Sequence, residues 1–172
     1  GGSGQERAIA TMYQGVAAVM GCSMAGFLAD RFGRRPTILV SYLGCFAASA
    51  LLFVSNTAFS PIIYWESALL GYFIGLAQAI MYIFLPELFP TLVRASATGF
   101  CLNVGRFVTA ISVFFVGDLI RLIKVQNLGL VLLGNPLMSA YAVAAFLFSL
   151  AYLLSVVSAL FGDETRGQTL LD

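Results

Sequence analysis

The chain has 172 residues, of which 60% are apolar and only 10% charged, and nine basic residues nearly cancel eight acidic ones for a net charge of +1. A mean hydropathy of +0.94 excludes a small soluble domain, which leaves much of its surface in water, and also a disordered tail or a secreted disulfide scaffold. The charge balance excludes a basic nucleic-acid interface, and continuous apolar runs exclude the alternating strands of a β-barrel.

Five apolar runs are each long enough to cross a bilayer, which takes about 20 apolar residues. Polar breaks that contain proline, glycine or charged residues separate these runs, which cover about 8–29, 37–55, 62–85, 95–120 and 137–161. The sequence therefore predicts an all-α integral membrane protein with a bundle over 6–162. Residues 1–5 have the composition of a flexible linker, 163–172 are predicted to be a cytoplasmic tail, and the structure of 123–136 stays open.

The basic residues indicate on which side of the membrane each polar break lies. Most of them fall on one side of the predicted bundle, namely Arg31, Arg34, Arg35, Arg94 and Arg166, against Arg7, Arg121 and Lys124 on the other. Because short cytoplasmic loops carry an excess of Lys and Arg, we expect the loop at 30–36 to be cytoplasmic. The N-terminus of the chain then lies outside, the C-terminus lies inside, and the expected location is the plasma (inner) membrane.

Three motifs carry a resemblance to a known family. Residues 26–35 have the form G-x-x-x-D-R-x-G-R-R and resemble the signature loop of the major facilitator superfamily, in which Gly26 would allow close helix contact and Gly33 a tight turn. Residues 86–94 resemble a motif of sugar porters and organic-ion transporters, and 163–167 resemble the E-T-K-G element that follows helix twelve of sugar porters, with Asp163 in place of the usual proline.

The resemblance implies five transmembrane helices, about helices eight to twelve, of the C-terminal six-helix half of the major facilitator superfamily fold. Five spans are one short of that half. We therefore expect the partners to be the lipid bilayer, a small-molecule substrate, and the N-terminal half with helix seven, in another chain or removed.

In such families, cytoplasmic acids and arginines form a salt-bridge latch that holds one transport state. Carried over to this chain, Glu87 and Glu164 would pair with Arg34, Arg35 and Arg94. The full predicted latch consists of Asp30, Arg31, Arg34, Arg35, Glu87, Arg94 and Glu164. Each exposed pair is worth only about 0–1 kcal/mol, which suits a network that breaks in every cycle. The alternative is a set of solvated loop charges.

Arg106 is the one charge at the middle of a predicted span. A charge there costs about 2.5–3.5 kcal/mol, so Arg106 should face the bundle interior and meet a ligand or a partner. Organic-anion transporters and aromatic-acid:proton symporters carry an arginine at this place, and the resemblance implies that Arg106 binds a substrate carboxylate, for which a guanidinium is well shaped. A structural pair with an acid in the missing half is the alternative.

Other uncharged polar residues of the spans are candidates to line the same cavity or to form interhelical hydrogen bonds. They are Asn103, Gln78, Tyr82, Tyr13 and Gln14. Gly71 and Gly75 are spaced to let helices approach closely. Glu66 and Asp118 fall near the outer ends of spans, which is shallow for a proton-coupling carboxylate.

These residues favour a secondary active transporter that moves a small organic anion, such as a mono- or aromatic carboxylate, by alternating access, with a proton as the coupling ion. A sugar or polyol porter is the first alternative, and a non-transporting receptor or assembly module on the same fold is the second. With no histidine and no clustered nucleophile and base we do not expect an enzyme. The spacing of the three cysteines matches no metal site, and no cofactor is expected.

Overall fold

The computed structural model describes residues 4–56, 60–125 and 140–161, and in these ranges the chain forms five long helices. They are α1 (Gly4–Phe32), α2 (Arg34–Ser55), α3 (Ile62–Glu87), α4 (Arg94–Val125) and α5 (Ala140–Phe161). Each is long and apolar enough to cross a membrane. The prediction of an all-α membrane protein with five spans is confirmed.

Helices α1 to α4 extend beyond the apolar runs that predicted them. The first helix begins at Gly4, inside the predicted linker, and ends at Phe32, so Asp30 and Arg31 are helical. Helix α4 has 32 residues and is on the order of 48 Å long at 1.5 Å per residue, well above the ~30 Å of a bilayer core. The hydropathy of the sequence marks only the part of a helix that lies in lipid. The backbone hydrogen bonds of the helix continue beyond that part. The predicted tail at 163–172 and the segment 126–139 lie outside the described residues.

A single residue, Gly33, separates α1 from α2. Its backbone has φ 104° and ψ 161°, a conformation that is essentially restricted to glycine. The Gly33 amide donates to the carbonyl of Ala29 at 3.0 Å, and the Thr37 hydroxyl donates to the Gly33 carbonyl at 2.7 Å. The predicted tight turn at Gly33 is confirmed.

The closest helix contact joins α1 and α3, which run in the same direction. A β-carbon at Gly71 would overlap the backbone oxygen of Gln14, and one at Gly75 would overlap that of Ala18. The predicted packing role of these two glycines is confirmed. The contact expected at Gly26 does not form between the described helices, since none of their atoms lies within 4 Å of a β-carbon built there. The buried face of α1 follows Gly21, Ala25 and Ala29, and Gly26 lies about 100° away from it.

Helix α3 lies between α1 and α2, α5 packs against α2, and α4 makes only sparse contacts with α3 and α5. One end of the bundle, which we call the arginine end, is formed by the last turns of α1, α3 and α5 and the first turns of α2 and α4. A core cluster of Ala29, Ile38 and Ile80 lies at this end. At the opposite end Ile123 of α4 packs against Val143 and Ala144 of α5.

Candidate functional site

Arg34, the first residue of α2, connects three helices at the arginine end. Its Nη1 lies 2.8 Å from Asp30 Oδ1 at the end of α1, and its Nη2 lies 3.2 Å from Glu87 Oε1 at the end of α3. Its Nη1 also donates to the backbone oxygen of Ala29 at 3.1 Å. The side chains of Arg34 and Glu87 are only 16% and 20% exposed, so this pair is screened less than a pair on an open surface.

The other predicted latch arginines have different contacts. Arg94 uses its Nε to donate to the carbonyl of Phe89 at 3.2 Å, which closes the turn between α3 and α4. Its Nη2 is buried and has no hydrogen-bond partner in the described part of the chain, so the expected Glu87–Arg94 pair does not form in this arrangement. Glu164 lies outside the described residues.

Arg31 and Arg35 each contact residues outside the Arg34 network. The guanidinium of Arg31 lies over the rings of Phe27 and Phe32, at 6.0 and 5.8 Å from their centres. Arg35 Nη2 donates to the backbone oxygen of Leu160, in the last turn of α5. The structure thus joins Asp30, Arg34 and Glu87 into one cluster and connects Arg35 to another helix.

Arg106 lies twelve residues into α4, on the order of 18 Å along the helix from Arg94. Its Nη2 donates to the hydroxyl of Tyr82 on α3 at 3.3 Å, and its side chain is exposed. Within 4–56, 60–125 and 140–161, no carboxylate lies within salt-bridge distance of Arg106. The guanidinium is therefore positioned by a phenol, and no carboxylate of the described residues compensates its positive charge.

Two more predicted residues lie on the same helices as the Arg106–Tyr82 pair. Asn103 is exposed about one turn before Arg106, and its amide donates to the carbonyl of Gly99 at 2.8 Å. Gln78 is exposed one turn before Tyr82. We call these four residues, Gln78, Tyr82, Asn103 and Arg106, the α3–α4 strip.

Tyr13 and Gln14 lie at another level of the bundle. The ring of Tyr13 stacks on Tyr64 at 5.8 Å and meets Trp65 edge-on at 5.9 Å. Trp65 precedes Tyr82 by 17 residues on α3, which is about 25 Å along the helix. Gln14 packs its backbone against Gly71. The structure does not bring either residue to Arg106, and their place in a substrate cavity stays a prediction.

Sequence reasoning missed the burial of Glu66. This side chain is only 8% exposed and accepts a hydrogen bond from Asn56 Nδ2, which also donates to the carbonyl of Leu52 at 3.1 Å. The sequence does contain a signal for this contact, because Asn56 and Glu66 lie ten residues apart on either side of a short turn. Glu66 thus joins the end of α2 to the start of α3, whereas Asp118 is exposed and lies 3.8 Å from Arg121 on the same helix.

The sequence profile of the Major Facilitator Superfamily matches residues 3–113. The chain is 35% identical, over 73% of its length and 28% of the relative, to a probable 4-methylmuconolactone transporter of Cupriavidus pinatubonensis. It is 31% identical, over 60% of its length and 24% of the relative, to the cis,cis-muconate transport protein of Acinetobacter baylyi. It is 30% identical, over 94% of its length and 31% of the relative, to a probable plastidic glucose transporter of Arabidopsis thaliana.

The chain therefore spans about a quarter to a third of the length of these relatives. No solved structure matches it significantly.

Proposed function

Since the chain belongs to the major facilitator superfamily, we propose that it is part of a secondary active transporter for a small organic anion. Transport would follow alternating access, in which two helix bundles rock around a central site. The rest of the site would come from the N-terminal half and helix seven, and the protein would act as a carrier rather than as an enzyme. Two relatives, named as transporters of 4-methylmuconolactone and of cis,cis-muconate, support an organic acid, since muconate is a dicarboxylate and a muconolactone carries one carboxylate.

The observation that carries the proposal is the pair of Arg106 and Tyr82. The phenol holds the guanidinium at 3.3 Å without neutralising it, and the exposed α3–α4 strip offers further amide and hydroxyl groups. A charge without a counter-charge within a membrane span is unfavourable in free energy. A bound anionic ligand would offset this unfavourable term. A guanidinium accommodates a carboxylate in a two-point contact.

The test is uptake of labelled muconate and benzoate by cells that produce the full-length protein. We expect competition by carboxylates and none by hexoses. Arg106→Ala removes a charge-assisted hydrogen bond of about 1.5–3 kcal/mol, so the apparent affinity should fall about 10- to 150-fold. Tyr82→Phe removes only the hydrogen bond that positions the Arg106 guanidinium and should have a smaller effect of the same sign. Unchanged uptake in both Arg106→Ala and Arg106→Lys overturns the anion site.

A sugar or polyol porter is the second candidate, because the glucose transporter relative aligns with 94% of the chain. A neutral sugar has no need of the charge on Arg106. Competition by hexoses, with full activity in Arg106→Gln, would favour this candidate over the first.

We further propose a proton as the coupling ion, without a bound cofactor, and the plasma (inner) membrane as the location, with the arginine end in the cytoplasm. The orientation is supported by the arginines of that end. In proteoliposomes, an inward proton gradient should accelerate muconate uptake, and an ionophore that collapses the gradient should abolish the acceleration. Uptake that is indifferent to the gradient contradicts proton coupling alone.

A further inference from the structure

A cavity of about 480 Å³ opens at the arginine end between α2, α3 and α5. Its walls are mostly apolar, with Ile38 and Tyr42 on α2, Phe84 on α3 and Leu154 on α5. Three polar residues break this pattern, namely Arg35, Ser155 and Ser158. The cavity is separate from the α3–α4 strip, with which it shares no residue.

The cavity has a charged end and an apolar depth. Arg35 belongs to the first turn of α2, and its guanidinium is tethered to the last turn of α5 through the carbonyl of Leu160. Tyr42 lies seven residues further along α2, about 10 Å deeper into the bundle. Because α2 begins and α5 ends at this level, the cation lies near the bilayer surface and the apolar walls extend along the hydrocarbon region.

This combination selects among ligands. A small carboxylate would bind the guanidinium but leave the apolar part of the cavity empty. A neutral lipid would fill the apolar part but form no ion pair with the guanidinium. A phospholipid with a net negative headgroup satisfies both, because its phosphate can meet the guanidinium while an acyl chain lies along the apolar walls. Basic pockets between membrane helices commonly bind such headgroups.

We propose that this cavity binds an anionic phospholipid, with the headgroup phosphate on Arg35 and one acyl chain between α2, α3 and α5. The inference goes beyond the transported substrate. The site would use Arg35 where it contacts the last turn of α5, while the neighbouring Arg34 binds the carboxylates of Asp30 and Glu87. The bound lipid would join the same helices whose ends the Arg34 network holds.

The test is native mass spectrometry of the purified full-length protein, titrated with phosphatidylglycerol or phosphatidylcholine. We expect phosphatidylglycerol to bind more tightly and Arg35→Ala to weaken it about fivefold, the factor expected for one cation near an anionic surface. Arg35→Lys should retain most of the affinity. Ser158→Phe fills the cavity and should weaken both lipids, with Ser155→Leu as a second filling variant if the first does not fold. Arg121→Ala, which removes an exposed cation at the opposite end, is the matched control.

Equal phosphatidylglycerol binding by the parent and Arg35→Ala overturns the proposal, and so does equal binding of the two lipids by the parent. Loss of affinity in Arg121→Ala to the same extent as in Arg35→Ala also overturns it, because the attraction would then be nonspecific. Lipid binding is measured without transport, so its failure leaves the proposed anion transport standing, and a failed uptake assay leaves the lipid site standing.

Discussion

Arg34 and Glu87 are 53 residues apart in the chain, and Nη2 of the arginine lies 3.2 Å from Oε1 of the glutamate. One is the first residue of α2 and the other is the last residue of α3. Since Arg34 also reaches Asp30 on α1, one guanidinium determines how three helix ends are placed relative to one another. In an alternating-access cycle, this is where a change in helix position would have to break contacts.

The Arg34–Glu87 contact should be measurable as a coupling energy. We expect Arg34→Ala and Glu87→Gln each to lower the free energy of unfolding by about 1–3 kcal/mol, because the first removes and the second weakens a charge-assisted hydrogen bond between two largely buried side chains. The double variant should show a coupling of about 0.5–3 kcal/mol, measured by unfolding in mixed micelles. Arg31→Ala, which among the described residues loses contacts with two phenylalanine rings, is the control, with a loss of about 0.5–1 kcal/mol. Strictly additive effects would contradict the contact.

Because α1 and α3 are in close contact, we expect the effect of a glycine-to-alanine substitution on stability to depend strongly on which glycine is replaced. Gly75→Ala places a methyl group onto the backbone of Ala18, and we expect a loss of about 1–3 kcal/mol from overpacking. Gly15→Ala is the matched control on α1, because its β-carbon meets nothing within 4 Å. Alanine there should be neutral or stabilising, since glycine is the poorer helix former by about 1 kcal/mol. Thermal stability of the purified protein is the measurement, and similar losses in both variants would refute the packing.

The turn between α1 and α2 should tolerate no side chain at Gly33. Any L-residue at φ 104° and ψ 161° is strained, and we expect Gly33→Ala to cost about 1–3 kcal/mol. The strain can also shift Arg34 and weaken its contacts, so the coupling between Arg34 and Glu87 should fall in this background. Gly26→Ala belongs to the same motif, but its methyl group meets no atom of the described residues within 4 Å, and we expect it to leave the stability unchanged. If Gly26→Ala is the more damaging of the two variants, this account of the turn is incorrect.

Orientation can be read from the accessibility of single cysteines. Leu92, in the turn between α3 and α4 at the arginine end, is 94% exposed, and Ser60 precedes α3 at the opposite end. In a background without Cys22 and Cys101, which are exposed, we expect an impermeant maleimide to label Ser60→Cys in intact cells. Leu92→Cys should react only after permeabilisation. The reverse pattern would place the arginine end outside.

The sequence by itself determined the parts of this protein that depend on local chemistry. Apolar length set the five membrane helices, and the need for φ above zero set the turn at Gly33. The spacing of Gly71 and Gly75 marked a close helix contact, and the motif at 26–35 indicated the family. Each of these features is decided by residues that are neighbours in the chain, so hydropathy, spacing and backbone preference are enough.

Only the tertiary structure decided which side chains meet. Arg34 and Arg35 are adjacent in sequence, but a rotation of about 100° per residue sends one to Glu87 and the other to Leu160. Because of the same rotation, Gly26 does not lie on the packed face of α1. The position of α1 along α3 places Tyr13 about 25 Å from Tyr82 along the helix axis. The rotation and register of the helices depend on how whole helices pack, and they cannot be derived from the local sequence pattern.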